Sequence, residues 1–177
     1  MRRPPPAPLV PLLAAVLATA ACGGAGEPAR YPAAGEGRLV VEWRGGERLI
    51  DVPAQATYCG GDSLLVIVAV DRHWGAGLVL HGRFPLVAAR TYRVRPSLGE
   101  DGTASAALRS VADSVQRAVL GLRGEVRLEP GGRATGRFEV GAAPLPGRSE
   151  PVHLAGAFRA LPTSDTAGTC SAGPRSP

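Results

Sequence analysis

The chain contains no lysine and no asparagine; all twenty of its basic residues are arginine, set against fifteen acids. With abundant alanine, glycine and proline, this composition points to coding bias in a GC-rich bacterium. Arginine suits phosphate contacts, yet no nucleic-acid-binding motif accompanies it, and no nucleic-acid partner is expected. An apolar run long enough to span a bilayer as a helix is also missing. Leu9 to Ala21 is uncharged for 13 residues, short of the ~20 required, and Pro11 interrupts it. The next apolar run, Leu64 to Val70, stops at Asp71.

Signatures of catalysis are equally scarce. There is no C-x-x-C pair and no G-x-S-x-G elbow; Ser63 follows "CGGD" without an ordered set of partners. "CGGAG" lacks the strand-to-helix setting of a phosphate loop. His81 and His153 have no cysteine or carboxylate at zinc-like spacing, so neither a metal nor a cofactor is expected. Glu100 and Asp101 are adjacent in a turn, where neighbours point apart, unlike the facing acids of glycoside hydrolysis.

Two weak candidates remain. In "DRHWGAG", Asp71 beside His73 has the makings of a tuned general base, and Trp74 could anchor a ligand. The plainer account is a solvated turn with a ring capping the end of a core. Arg93 and Arg95 share a strand face and, joined by Arg83 or Arg90, would suit anionic lipid or glycan. An outer sheet face balanced by nearby acids explains them equally simply.

What the sequence does contain is an export leader. Arg2 and Arg3 precede the short apolar run, which ends in small residues. Ala18-Thr19-Ala20 fits ordinary cleavage and would release a soluble chain. Thr19-Ala20-Ala21-Cys22 instead resembles the lipobox of bacterial lipoproteins, with threonine where leucine is usual. That resemblance implies acylation of Cys22 as the new first residue, a durable diacylglyceryl anchor and a membrane partner. Gly23 in place of aspartate favours the outer membrane. Cysteine parity agrees: with Cys22 lipidated, Cys59 and Cys170 are left as a pair for an oxidising compartment. Loss of the leader lowers the formal charge from +5 to +3.

The expected organisation is a signal peptide over 1–21, a lipid-anchored flexible tether over 22–37 and one domain over 38–161. A polar tail over 162–177 follows, tied by Cys170. In the domain, hydrophobicity alternates with period two. Val126 and Leu128 oppose Glu125, Arg127 and Glu129; Phe138 and Val140 oppose Arg137 and Glu139; Tyr92 and Val94 oppose Arg93 and Arg95. Leu154 and Phe158 oppose His153 and Ala157, and Leu39, Val41 and Trp43 continue the pattern. Such alternation predicts a mainly β fold, an antiparallel sandwich or small barrel. Leu64 to Val70, apolar throughout, predicts a central strand covered on both faces. Glycine precedes phenylalanine by two positions at Gly82/Phe84, Gly136/Phe138 and Gly156/Phe158, which predicts room for rings in the core.

One stretch is ambiguous. Leu108, Val111, Ala112, Val115, Val119 and Leu122 form a helical stripe opposite Arg109, Asp113 and Arg117. A short helix packed on the sheet is the favoured reading; the rival is a hairpin turning at Ala112 to Ser114. For function, the expectation is a non-enzymatic, membrane-tethered domain that binds an envelope partner or supports the envelope. A lipocalin-like carrier of a small molecule is the alternative, by analogy of architecture, and a hydrolase resting on Asp71 and His73 comes third.

Overall fold

A computed structural model describes residues 31–44, 49–97, 99–112, 115–145 and 151–170. Among these there is no helix, and ten strands follow one another along the chain. They are β1 (Arg38–Arg44), β2 (Leu49–Cys59), β3 (Leu64–Val70), β4 (Trp74–His81) and β5 (Arg90–Val94). The second half comprises β6 (Thr103–Ala112), β7 (Val115–Leu128), β8 (Ala134–Leu145), β9 (Val152–Leu161) and β10 (Thr163–Thr166).

Hydrogen bonding connects them in the order β1-β9-β8-β7-β5-β6-β4-β3-β2, and β1 pairs back onto β2. The sheet is therefore a closed barrel of nine strands, with β10 outside the ring, parallel to the second half of β2. β5 is a wedge: it runs parallel to the start of β6 and antiparallel to the end of β7, whose remaining lengths pair directly. The β2–β3 and β7–β8 turns mark a lower rim, together with the start of β1. The upper rim is where β3 turns into β4, β6 into β7 and β8 into β9.

Alternation builds the core. Leu39, Val41, Tyr92, Val94, Val126, Leu128, Phe138, Val140, Leu154 and Phe158 are all buried inside the barrel, as their period-two spacing predicts. A barrel of this strand number is just wide enough for side chains to fill. Alanines on β2, β4 and β6 share this core with larger rings and leucines. The register shifts between Gly121 and Arg123, and Gly124 follows at φ +132°. A side chain there would run into the backbone of Glu139, so the bulge that bends β7 around the barrel depends on glycine.

Two expectations are corrected. The stretch predicted as a short helix forms β6 and the start of β7, turning where residues 113–114 lie, outside the described residues. Ala104, Ala106 and Leu108 alternate as well as they spiral, and β4 and β8 offer hydrogen-bonding edges along both strands. Pairing with those edges outweighs a weak local preference. Leu64 to Val70 is not covered on both faces. Leu65, Ile67 and Ala69 point inward, whereas Val68 and Val70 are 39% and 53% exposed on the outside. Past residue 161, the segment read as a polar tail contributes β10.

Candidate functional site

The Asp71–His73–Trp74 cluster forms the β3–β4 turn on the upper rim. One carboxylate oxygen of Asp71 accepts the backbone N–H groups of His73 and Trp74, each at 2.7 Å. The Asp71 N–H in turn donates to the Trp74 carbonyl at 2.9 Å. This is an Asx-type turn, in which the carboxylate closes the hairpin. The bond from His73, then that from Trp74, holds the Asp71 carboxyl below its ordinary pKa. The His73 side chain is exposed, while Trp74 is half-buried and packs against the core. Trp43, one residue from the end of β1, packs there too. Both tryptophans of the chain thus sit at the same mouth of the barrel.

The arginine group divides between two faces. Arg93 and Arg95 are exposed, as the alternation predicts, and Arg93 stands opposite Glu125 in the β5–β7 register. Arg90 does not join them. Its guanidinium lies 5.1 Å from the ring centre of buried Tyr92 and bonds the Asp101 carboxylate at 2.7 Å. That bond raises the Arg90 pKa and lowers that of Asp101, and burial raises the pKa of Tyr92. Glu100 acts through its backbone, whose carbonyl accepts both the N–H and the hydroxyl of Thr103. His81 and His153 lie at opposite rims, at the end of β4 and the start of β9.

The cysteines pair. Cys59 and Cys170 form a disulfide with Cα atoms 5.6 Å apart, across 111 residues of sequence. Around it, Asp62 accepts the Cys170 N–H at 3.0 Å, and the N–H groups of Gly60 and Gly61 reach the carbonyls of Thr166 and Gly168. The bond staples the end of the chain to the β2–β3 turn, where Cys59 is fully buried. Cys22, the leader and most of the expected tether lie outside the described residues.

Three features escaped the sequence reading. On the outer face of β8 and β9, Glu139 bonds His153 Nε2 at 3.2 Å and Tyr31 Oη at 3.4 Å, and Arg137 lies over the Tyr31 ring. Outward alternation gave Glu139 and His153 separately, but only the register brings them together. The barrel interior holds an apolar cavity of about 20 Å³, lined by Leu39, Leu78, Leu108 and Phe138 among others. That is room for about one water. Outside, an open groove of about 360 Å³ runs along β4, β6 and β7, lined by Val70, Gly75, Gly77, Ala107, Arg109, Ala118, Leu120 and Leu145 among others. Among the described residues no cluster of three or more metal-ligating side chains occurs.

No known protein family, curated protein or solved structure matches this chain.

Proposed function

We propose that the chain is an exported, lipid-anchored protein of the bacterial cell envelope, acylated at Cys22, whose barrel works through its surface as a binding or structural domain. The observation that carries this reading is the Cys59–Cys170 bond. A disulfide belongs to an oxidising compartment, and this one leaves Cys22 as the odd cysteine, directly behind Thr19-Ala20-Ala21. Acyl chains at that residue contribute ~0.8 kcal/mol per buried methylene, and two or more hold stably. Gly23 in place of aspartate favours the outer membrane.

The filled interior supports a surface role. Ligand sites in barrels and clefts run to roughly 300–1,000 Å³, whereas this interior holds about 20 Å³. A lipocalin-like carrier, the second reading, shares the closed-barrel architecture but would have to displace core side chains to load its cargo. A hydrolase at the β3–β4 turn would need the Asp71 carboxylate for the His73 ring as well as for the turn.

Phase partitioning of the natively expressed protein tests the anchor. The wild-type chain is expected in the detergent phase and a Cys22→Ser chain in the aqueous phase or as uncleaved precursor. Recovery of both in the aqueous phase would overturn the proposal. Native mass spectrometry on the same preparation separates the roles: a stoichiometric small molecule supports the carrier, and a bound protein supports the adaptor.

A further inference from the structure

One sector of the barrel wall is apolar on the outside as well as the inside. Across five strands, Val68, Gly77, Ala107, Leu120 and Ala143 stand in register as one outward rung. The rung above it, toward the upper rim, begins with Val70 and ends with Leu145, each 53% exposed, with Arg109 between them. Elsewhere the outer wall is polar and charged: Arg38 pairs with Asp51 and Arg127 with Glu129, and His153 bonds the Glu139 carboxylate. Outward residues Val40 and Ala155, on the β1–β9 side, are buried. In the apolar sector the Arg109 side chain lies across Gly75, while Val68, Val70 and Leu145 stay exposed.

We propose that this sector and its groove rest on the surface of a lipid bilayer, so that the barrel lies against the membrane at a fixed orientation. The inference rests on acylation of Cys22 and adds a second contact to it. The path of the chain supports it. Glu36 pairs with Arg133 at the lower rim, and five residues earlier Tyr31 bonds Glu139, halfway up β8. The stretch therefore climbs toward the upper rim as it runs back toward Cys22. Eight residues separate Cys22 from Tyr31, a reach of roughly 30 Å when extended. From Glu139 to Leu145 along β8 is roughly 20 Å. The acylated residue can therefore lie level with the apolar sector.

The residues at that rim have the chemistry of an interface. Trp74, half-buried at the start of β4, borders the sector, and Trp43 packs on the core at the same mouth from β1; tryptophan favours the boundary between headgroups and hydrocarbon. Arg72 in the β3–β4 turn and Arg109 within the sector are exposed, so their guanidinium groups can meet anionic headgroups while the stems lie along apolar surface. The one carboxylate in that turn, Asp71, is engaged by backbone N–H groups. Charge on the remaining wall means that only this sector can face hydrocarbon; the barrel lies on the bilayer rather than across it.

Tryptophan quenching by brominated lipid tests the contact. The full acylated chain is reconstituted in phosphatidylcholine–phosphatidylglycerol vesicles with and without dibrominated phosphatidylcholine, and flotation reads the anchor separately. Docking predicts a loss of tryptophan emission in brominated vesicles, carried by Trp74 beside the sector. A Val70→Asp/Leu145→Asp chain should float equally well yet keep its emission. Wild-type chain that floats unquenched would overturn the docking and leave the anchor standing. If intact mass shows no acyl group, the same chain is titrated with excess brominated vesicles: quenching still supports the surface, and none rejects it. A lipid-free dimer in sedimentation, abolished by the double substitution, would assign the sector to a second copy and overturn the proposal.

Discussion

Phe138 lies across Gly156, its partner in the β8–β9 register, and Phe158 lies likewise across Gly136. Each ring occupies the space that the other strand's glycine leaves empty. A methyl group at Gly156 would overlap the Phe138 ring and come within 2.6 Å of the Val40 carbonyl; at Gly136 it would sit 2.8 Å from Phe158 Cζ. Gly156→Ala should therefore destabilise the barrel by about 1–3 kcal/mol through overpacking. Phe138→Leu added to it should restore part of the loss, since the smaller side chain vacates the space. Urea denaturation of the single and double variants measures this, and additive losses would contradict the pairing.

The disulfide should matter for stability. Closing a loop of this length stabilises by up to ~4–5 kcal/mol in the chain-entropy model. A Cys59→Ser/Cys170→Ser chain is expected to melt about 10 °C or more below the oxidised wild type. Thiol titration of exported, unreduced protein should find no free thiol if Cys22 is acylated; one per chain points to an unmodified Cys22.

Acid should weaken the fold through two carboxylates. Asp71 is held below its ordinary pKa by the His73 and Trp74 N–H groups, and Asp101 by the Arg90 guanidinium. A carboxyl with a lowered folded-state pKa contributes stability above the unfolded value, about 3.9, which is lost as pH falls through the folded value. Melting temperature should therefore be insensitive to these two groups near neutrality and decline below about pH 4. An Asp71→Asn/Asp101→Asn chain should lose part of that acid-side decline. His73→Ala should change the profile far less, because the backbone N–H groups of His73 and Trp74 lower the Asp71 pKa more than the charge of the His73 ring does.

Much of the architecture is legible in the sequence. Period-two spacing assigns Val126, Leu128, Phe138 and Val140 to the interior because each has a charged neighbour pointing away. The same logic fails at β3, where Leu65, Ile67 and Ala69 on one face oppose Val66, Val68 and Val70 on the other: periodicity reports what a residue prefers, and an apolar outer face carries no mark of its partner. It fails also at β6–β7, whose alanines and valines suit a helical stripe and a strand alike. There the choice is made by the β4 and β8 edges, far away in sequence. The Glu139–His153–Tyr31 cluster depends on register and on a stretch before β1 that has no periodicity at all. Closure of the ring between β1 and β2 is likewise a long-range fact that a sandwich-or-barrel reading leaves open.

Membrane attachment turns on the chemical state of Cys22, and the mass of the N-terminal peptide reports it directly. The protein recovered from its native membrane is digested without reduction, and that peptide is fragmented. The expected peptide begins at Cys22 and carries a diacylglyceryl group. A peptide that begins at Ala21, with no acyl mass on Cys22, would contradict the lipid anchor.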